Sequence, residues 1–350
     1  MFPQIALYRH PFFPNMTTVS PSRPAGSKTK SRLDNRTARP SLKLEKRSLD
    51  PVASINGHAV AEPVYDFSKD PGYYNSAAKQ AVLRRAKRPP HDELTVDFSR
   101  QAVEVELRAA GNLLLAGTWN WSATAAGASL TADGEWKELG WHHEKSCDYL
   151  EIELPLSGGY KLERQLFFAR NELFFFVADC LIGPPTAVGE IQHIHTIPLA
   201  DGASFSAAEQ TCEGWLSAKD RRAASVVPLA QPEWRLDYRH AKLSTLDNKL
   251  TVEQAAHGRR LLSPLWIDIH PRRIRRPLTW RQLTVGENLT AVSRDVATGY
   301  RLQSGNEQWF VYRSLAPVAN RSVMGHNTYG SFVCGRIKPD GSVKDILTME

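Results

Sequence analysis

From His91 onward, the sequence consists of short apolar or alternating segments separated by turn residues about every 8 to 12 positions. Residues 148–156 alternate between apolar and polar side chains, as strands with one buried face do. Residues 173–182 and 310–315 are instead dense in aromatic and aliphatic side chains, which is typical of central strands. We therefore predict a mostly β fold over residues 91–350, a large two-sheet antiparallel β-sandwich of the super-sandwich kind.

Hairpin turns are expected at three dipeptides. Tight hairpins need residues that accept positive φ angles, and glycine next to asparagine or aspartate meets that need. Three such dipeptides lie between strand-like segments: Asp133-Gly134, Gly305-Asn306 and Asp340-Gly341. We predict that each closes a hairpin.

One helix is predicted, ahead of the β region. Tyr73, Ala77 and Ala81 recur at four-residue spacing, which places them on one helical face. Two consecutive prolines follow and would end a helix. We therefore predict a helix over residues 71–87, within a helix-and-linker region of residues 64–90.

The basic excess of the chain is confined to its N-terminal part. The 350 residues contain 44 Lys and Arg against 37 Asp and Glu, which gives a net charge of +7. Residues 1–50 hold 10 of the basic and 3 of the acidic residues, so 34 of each remain in residues 51–350. The body is therefore electroneutral, and its bulk charge does not favour a nucleic-acid partner.

The same N-terminal part is predicted to be disordered. Residues 14–63 are rich in Ser, Thr, Pro, Lys and Arg and show little apolar periodicity, so they cannot bury enough surface to offset their conformational entropy. We predict a disordered basic tail over residues 1–63, either a solvated leader or a tether to an anionic partner. No stretch of the chain approaches the roughly 18 apolar residues of a membrane helix, so no membrane partner is expected.

The extreme N-terminus bears on localisation. Pro3, Arg9 and Pro11 interrupt the continuous apolar core that a secretory signal needs. This favours a cytoplasmic protein. A misassigned start, or a chain that is a fragment, would leave an extracytoplasmic location open.

Four cysteines are widely spaced and form no Cys-x-x-Cys pair. Their neighbours are apolar or strand-like, which favours buried thiols over disulfides or a cysteine-based zinc site. These residues are Cys147, Cys180, Cys212 and Cys334.

Residues 136–202 place three features in a fixed order. A strand with Arg164 leads through a turn into a hydrophobic strand with Asp179, and a strand with His193 and His195 follows. This order resembles the C-terminal β-sandwich of the heparinase II/III-like polysaccharide lyases. Lyases of that family carry a large helical toroid before the sandwich, whereas this chain has room for one helix. The resemblance therefore implies the non-catalytic half of such a lyase.

Whether the chain is an enzyme is left open by the sequence. A polysaccharide lyase must neutralise a uronate carboxylate, remove the C5 proton and protonate the leaving oxygen, so several groups must converge on one cleft. If the chain is itself a lyase, the candidate catalytic residues are Tyr160, His142, His193 and Arg164. Phosphate-binding loops and the common hydrolase and zinc-protease motifs do not occur in the sequence.

A structural metal is the one cofactor that the resemblance implies, since family members hold one in this sandwich. Residues i and i+2 of a strand share a face, so His193 and His195 can present two imidazoles to one ligand. Asp179 and Glu190 would supply oxygens, and His142 a further nitrogen, giving a set that zinc accepts. The alternative is that the histidines lie on a sheet face with water or backbone partners, and no cofactor is bound.

A second cluster of candidate residues could bind an acidic polysaccharide. Four arginines within five positions can clamp sulfate or carboxylate groups, and neighbouring tryptophans can stack on sugar rings. The alternative is an ordinary charged loop above tryptophans that fill the core. The candidate glycan-binding residues are Arg272, Arg273, Arg275, Arg276, Trp266 and Trp280, with Trp309 as a further platform.

Three functions from different classes follow from these patterns. The first is a carbohydrate-associated β-sandwich module that binds acidic polysaccharide, and the second is a polysaccharide lyase in its own right. The third is a structural or interaction protein without a glycan ligand. The sequence does not decide the oligomeric state.

Overall fold

The computed structural model describes residues 71–86, 91–235 and 241–350. These residues form 27 strands and two short 3-10 turns, and no α-helix occurs among them. The described part of the chain also contains no helix long and apolar enough to cross a membrane. The tail predicted over residues 1–63 lies outside the described residues.

All strand pairs are antiparallel. In chain order the strands are β1 (Tyr73–Asn75), β2 (Gln80–Arg84), β3 (Glu93–Asp97), β4 (Glu104–Ala109), β5 (Asn112–Thr118), β6 (Asn120–Ala125), β7 (Ala128–Ser129), β8 (Lys137–His143), β9 (Cys147–Pro155), β10 (Lys161–Ala169), β11 (Phe174–Ile182), β12 (Glu190–Pro198), β13 (Ala203–Ala207) and β14 (Gly214–Ala218). They continue with β15 (Arg221–Pro228), β16 (Ala241–Leu246), β17 (Lys249–His257), β18 (Arg260–Asp268), β19 (Thr279–Leu283), β20 (Val285–Glu287), β21 (Thr290–Ala291), β22 (Ala297–Ser304), β23 (Glu307–Ser314), β24 (Arg321–Val323), β25 (His326–Thr328), β26 (Phe332–Ile337) and β27 (Val343–Met349). The 3-10 turns cover Ser157–Gly159 and Arg273–Arg275.

The strands form five sheets in the described residues. The central sheet has eight strands in the order β13-β14-β15-β18-β11-β10-β9-β8. Two five-stranded sheets, β1-β2-β3-β4-β5 and β16-β17-β12-β6-β7, supply side chains to the core on one of its faces. The sheet β19-β22-β23-β26-β27 covers its other face, and the small sheet β21-β20-β24-β25 lies beyond that one.

The central sheet is buried on both faces. Successive side chains of β10 point alternately into two cores, since neighbouring residues of a strand face opposite ways. Leu166 and Phe168 belong to the core shared with β2 to β6 and β12. Phe167 and Ala169 belong to the core shared with β22, β23 and β26. The mostly β, antiparallel sandwich prediction is confirmed, and the layers are more numerous than the two sheets expected.

The predicted N-terminal helix is wrong, because its residues form the hairpin β1–β2. The Asn75 side chain accepts a hydrogen bond from the backbone N–H of Ala78 at 3.0 Å, and Lys79 adopts a positive φ of 51°. β2 then pairs with β3, so Ala81 and Leu83 reach the core from one strand face. The four-residue alanine spacing carried only a weak local preference, which pairing across the sheet overrides.

Two of the three predicted hairpin turns are confirmed. Gly305 and Gly341 have positive φ angles of 59° and 83° and lie in the turns β22–β23 and β26–β27. The prediction at Asp133-Gly134 is wrong, because β7 and β8 on either side of it belong to different sheets. That segment instead runs beside the end of β9, where Asp133 N donates to the carbonyl of Pro155 at 2.8 Å.

All four cysteines are free and buried, which confirms the prediction of buried thiols. Each lies in the core between the central sheet and the β19–β27 sheet. Burial raises the pKa of Cys147 to about 11 and the pKa of Cys180 and Cys334 well above its ordinary value. The thiols are therefore protonated at neutral pH.

Candidate functional site

Arg164 and Asp179 form a buried ion pair at the centre of the eight-stranded sheet. They lie opposite each other on β10 and β11. Arg164 Nε donates to Asp179 Oδ1 at 2.7 Å, and Nη2 donates to Oδ2 at 2.8 Å. Burial alone would raise the pKa of Asp179, but the adjacent guanidinium holds it well below its usual range. Asp179 is therefore a permanent anion with both oxygens engaged by one cation.

Trp119, at the end of β5, completes the surroundings of Arg164. Arg164 Nη1 donates to the Trp119 carbonyl at 3.1 Å. The guanidinium carbon lies 3.9 Å from the centroid of the Trp119 ring, within the range of a cation–π contact. Trp119 is itself buried.

His195 projects from β12 towards the same ion pair. The indole Nε1–H of Trp119 can only donate, and it lies 2.9 Å from His195 Nδ1. This assigns the proton of the neutral imidazole to Nε2, which is 3.5 Å from Ser263 Oγ. Burial lowers the pKa of His195 to about 3, and Asp179 opposes that shift only in part. His195 is therefore a neutral acceptor at pH 7.

His193 lies two positions earlier on the same face of β12. Its Nε2 is 3.3 Å from Asp179 Oδ2, yet neither ring nitrogen meets hydrogen-bond geometry with another described residue. The ring is fully buried, so it cannot bind water at the surface instead. We call Arg164, Asp179, His193, His195 and Trp119 the Arg164 cluster.

The Arg164 cluster does not fit a zinc ion. A zinc site needs four ligands around one point, with an available carboxylate oxygen or imidazole lone pair from each. Arg164 occupies both oxygens of Asp179, and Trp119 occupies Nδ1 of His195. Glu190 is exposed on the opposite face of β12. No group of three or more His, Cys, Asp or Glu placed to hold a metal occurs in the described part of the chain.

The four candidate catalytic residues do not converge. Arg164 and His193 are enclosed in the core. His142 lies on β8 near the start of β9, where its Nε2 is 2.9 Å from Glu144 Oε1. Tyr160 lies just before β10, beside the far end of β9. At the rise of an extended strand this places it roughly 20 Å from His142. The arrangement therefore does not bring a base, an acid and a carboxylate-binding cation to one cleft.

The arginine cluster is divided between the core and the surface. Arg273 is buried, and its Nε donates to Asp268 Oδ2 at 2.7 Å. Arg272, Arg275 and Arg276 are exposed on and beside the 3-10 turn. No ion pair joins these three to any described residue. Three guanidiniums are therefore exposed, and none of them has a counter-charge among the residues that the structure describes.

The tryptophans near this cluster fill the core and offer no open stacking face. Trp266 and Trp309 are fully buried, and Trp280 is 3% exposed. Trp280 Nε1 donates to the carbonyl of Gln231 at 2.9 Å. The expected aromatic platforms are therefore absent from these three positions.

Sequence reasoning missed a second buried charge network, on the opposite face of the central sheet. Arg313 Nη2 lies 2.6 Å from Glu151 Oε1 and 2.7 Å from Glu163 Oε2. Tyr149 donates its hydroxyl proton to Glu151 Oε2 at 2.6 Å, and the Gln165 amide lies 2.9 Å from the same hydroxyl. We call these five residues the Arg313 cluster. The sequence feature that could have revealed this network is Arg313, a charged residue inside the apolar segment of β23.

Comparison with known proteins gives distant structural likeness alone. The heparan sulfate lyase HepC from Pedobacter heparinus aligns with a TM-score of 0.46 at 12% identity, covering 69% of this chain and 42% of that one. The heparinase III BT4657 gene product aligns with a TM-score of 0.45 at 10% identity, covering 70% of this chain and 42% of that one. No family model matches the sequence, and no curated protein matches it significantly. This chain therefore corresponds to less than half the length of these lyases.

Proposed function

We propose that this protein is a carbohydrate-associated β-sandwich module that binds acidic polysaccharide through Arg272, Arg275 and Arg276. The observation that carries the proposal is the exposure, within five positions, of three guanidiniums that form no ion pair within the described ranges. Guanidinium groups bind sulfate and carboxylate oxygens through paired hydrogen bonds. A polyanion with closely spaced charges can therefore engage several of them at once.

The buried fourth arginine supports this role by fixing the turn. Arg273 contacts Asp268 through two nitrogens, at 2.7 and 3.1 Å. Its guanidinium also lies 4.6 Å from the centroid of the Trp309 ring. These contacts hold the 3-10 turn against the core, so the neighbouring arginines remain on the outside. A ligand would then meet donors whose backbone is already ordered, which lowers the entropic cost of binding.

Retention of the full chain on immobilised heparin tests the proposal. Replacing Arg272, Arg275 and Arg276 together with serine should lower the salt concentration needed for elution, since three cationic contacts are lost. The matched control replaces three other exposed arginines, Arg100, Arg221 and Arg281, with serine. It removes the same charge elsewhere on the body and should elute close to the wild type. Equal shifts in the two variants would contradict a local site.

The lyase alternative is tested by its product. β-Elimination creates an unsaturated uronate that absorbs in the ultraviolet. Because Tyr160, His142, His193 and Arg164 do not meet in one cleft, we expect no rise in absorbance with heparin, heparan sulfate, chondroitin or alginate. A rise with any of the four would replace the binding-module proposal by an enzyme. Absence of binding on a glycan array would favour the third function, a structural or interaction protein without a glycan ligand.

A further inference from the structure

We propose that a cleft between three sheets binds a small organic anion that carries hydroxyl groups, such as a sugar acid. The cleft has a volume of about 330 Å³ and is lined by residues of β17, β18, β19 and β22. These strands belong to three different sheets. The volume is at the lower end of the range for small-molecule sites in proteins. None of Arg272, Arg275 and Arg276 lines it, so this site is additional to the proposed polysaccharide contact.

The cleft is built from fixed elements. Asp295, in the segment before β22, docks on the turn between β17 and β18. The backbone N–H of Arg259 lies 3.5 Å from Asp295 Oδ2, and Arg260 Nη1 donates to the Asp295 carbonyl at 3.2 Å. Ser293 donates its hydroxyl proton to the Asp295 carboxylate as well. The wall formed by residues 293–295 is therefore tied to the central sheet before any ligand arrives.

Arg260 is the lining residue that most favours an anionic ligand. Its Nε is buried and has no hydrogen-bond partner among the described residues. A buried donor without an acceptor destabilises the protein, because it has lost its hydrogen bond to water without gaining another. Arg260 as a whole is only partly buried and lines the cleft, so a change of its side-chain rotamer would present this donor to a carboxylate or sulfate oxygen there. Because the donor belongs to a cation, the preferred acceptor is an anion.

Tyr300 and Arg294 add two further donors to the lining. Tyr300 is buried, and burial raises the pKa of its hydroxyl to about 12, although Thr298 and the charge of Arg294 oppose the shift. The phenol is therefore a neutral donor at pH 7. Arg294 lies on the exposed rim and adds a second positive charge. Two guanidiniums against the single carboxylate of Asp295 give the cleft a net preference for anions.

The rest of the lining explains why hydroxyl groups are expected on the ligand. Gln254 and Gln282 contribute side-chain amides, which can both donate and accept hydrogen bonds. Ala230, Ala255 and Ala256 are partly exposed and contribute apolar surface on which the carbon face of a sugar ring can lie. A bare inorganic anion would use the arginines but leave the amides and the apolar surface without contacts. A hydroxylated organic anion satisfies all of them.

Saturation-transfer NMR with D-glucuronate and the full chain tests the proposal. We expect saturable binding of glucuronate and clearly weaker binding of uncharged D-glucose. Inorganic sulfate has no protons to observe, so it is added as a competitor and should displace little glucuronate at equal concentration. Arg260→Gln should raise the Kd for glucuronate about tenfold, since one charge-assisted hydrogen bond is lost. Arg294→Gln, on the exposed rim, should raise it about threefold.

Arg281→Gln is the matched control, because Arg281 is exposed on β19 next to Gln282 but does not line the cleft. It should bind glucuronate as the wild type does. The variant without Arg272, Arg275 and Arg276 should also retain this binding, even if its heparin retention falls. If Arg260→Gln does not fold, Arg294→Gln decides the matter. Unsaturable binding, an equal response to glucose, full displacement of glucuronate by equimolar sulfate, or equal behaviour of Arg294→Gln and Arg281→Gln would overturn the proposal.

Discussion

The two buried charge clusters lie on opposite faces of the central sheet. Each pairs a buried guanidinium with carboxylate, but they differ in how many carboxylates take part. In the Arg164 cluster a single guanidinium meets a single carboxylate, and the other members are the rings of Trp119, His193 and His195. In the Arg313 cluster one guanidinium is shared by Glu151 and Glu163. Glu163 also contacts Lys161, which is partly exposed, at 2.7 Å. Arg164 therefore has one carboxylate partner, whereas Arg313 has two and is linked to the surface through Glu163 and Lys161.

The two clusters should differ in how much stability the protein loses when one charged partner is removed. A buried ion has to be paired, because removing its partner leaves an uncompensated charge in the core. Asp179 is the only carboxylate beside Arg164 in the described residues, so no other group can replace it. Arg313 keeps a carboxylate if either glutamate is neutralised. We therefore expect neutralisation of a carboxylate to destabilise the protein more in the Arg164 cluster than in the Arg313 cluster.

The largest effect is expected for Asp179→Asn. The substitution leaves Arg164 fully buried without a counter-ion, and the free energy of unfolding should fall by about 3 to 5 kcal/mol. Urea unfolding of the full chain, followed by tryptophan fluorescence, measures this. Asp340→Asn is the control, since Asp340 is exposed and should change stability by no more than about 0.5 kcal/mol.

The pH dependence of stability should also come more from the Arg164 cluster. Burial lowers the pKa of His195 in the folded state to about 3, from its ordinary value of about 6.5. The unfolded chain therefore binds this proton first, and the free energy of unfolding falls as the pH drops below about 6.5. One such group contributes up to about 1.4 kcal/mol per pH unit until the folded pKa is reached.

His195→Gln removes that titration, so its stability should decline less steeply between pH 6.5 and 4.5 in the same urea assay. Asp179, whose folded pKa is depressed, contributes only further down, as the pH falls below about 3.9. Equal slopes in the variant and the wild type would mean that His195 is not buried in its neutral form.

A smaller effect is expected for Glu151→Gln in the Arg313 cluster. Arg313 retains Glu163, and the amide can still accept one hydrogen bond, so the loss should be about 1 to 2 kcal/mol. The comparison between the clusters fails if this variant is as unstable as Asp179→Asn under identical conditions.

The smallest effect is expected for zinc. Because Arg164 already neutralises Asp179, added Zn²⁺ should not raise the melting temperature, and chelators should not lower it. Elemental analysis of protein purified without a histidine tag should find well below one zinc ion per chain. A stoichiometric ion would show that the guanidinium moves away from Asp179.

The sequence brought Arg164, Asp179, His193 and His195 together because their order places them on successive strands. It could not show that they are closed off, since the cover comes from Trp119 and β12, whose pairing with β6 is set by the fold. The alternating charges of β9 looked like one solvated face, but Glu151 pairs in the core with Arg313, 162 residues later. The helix over residues 71–87 failed for a related reason, because its strand partner β3 is not encoded locally.

The placement of the four thiols gives the molecule a built-in reporter. Cys147, Cys180, Cys212 and Cys334 all belong to the core on the Arg313 side of the central sheet, and none lies in the core on the Arg164 side. A thiol-reactive reagent added to native protein would therefore record how often the layer β19–β27 separates from the central sheet. Opening of the layer on the Arg164 side would expose no thiol, so the reagent would not react. The opening rates of the two sides of the central sheet can therefore be told apart without adding a label.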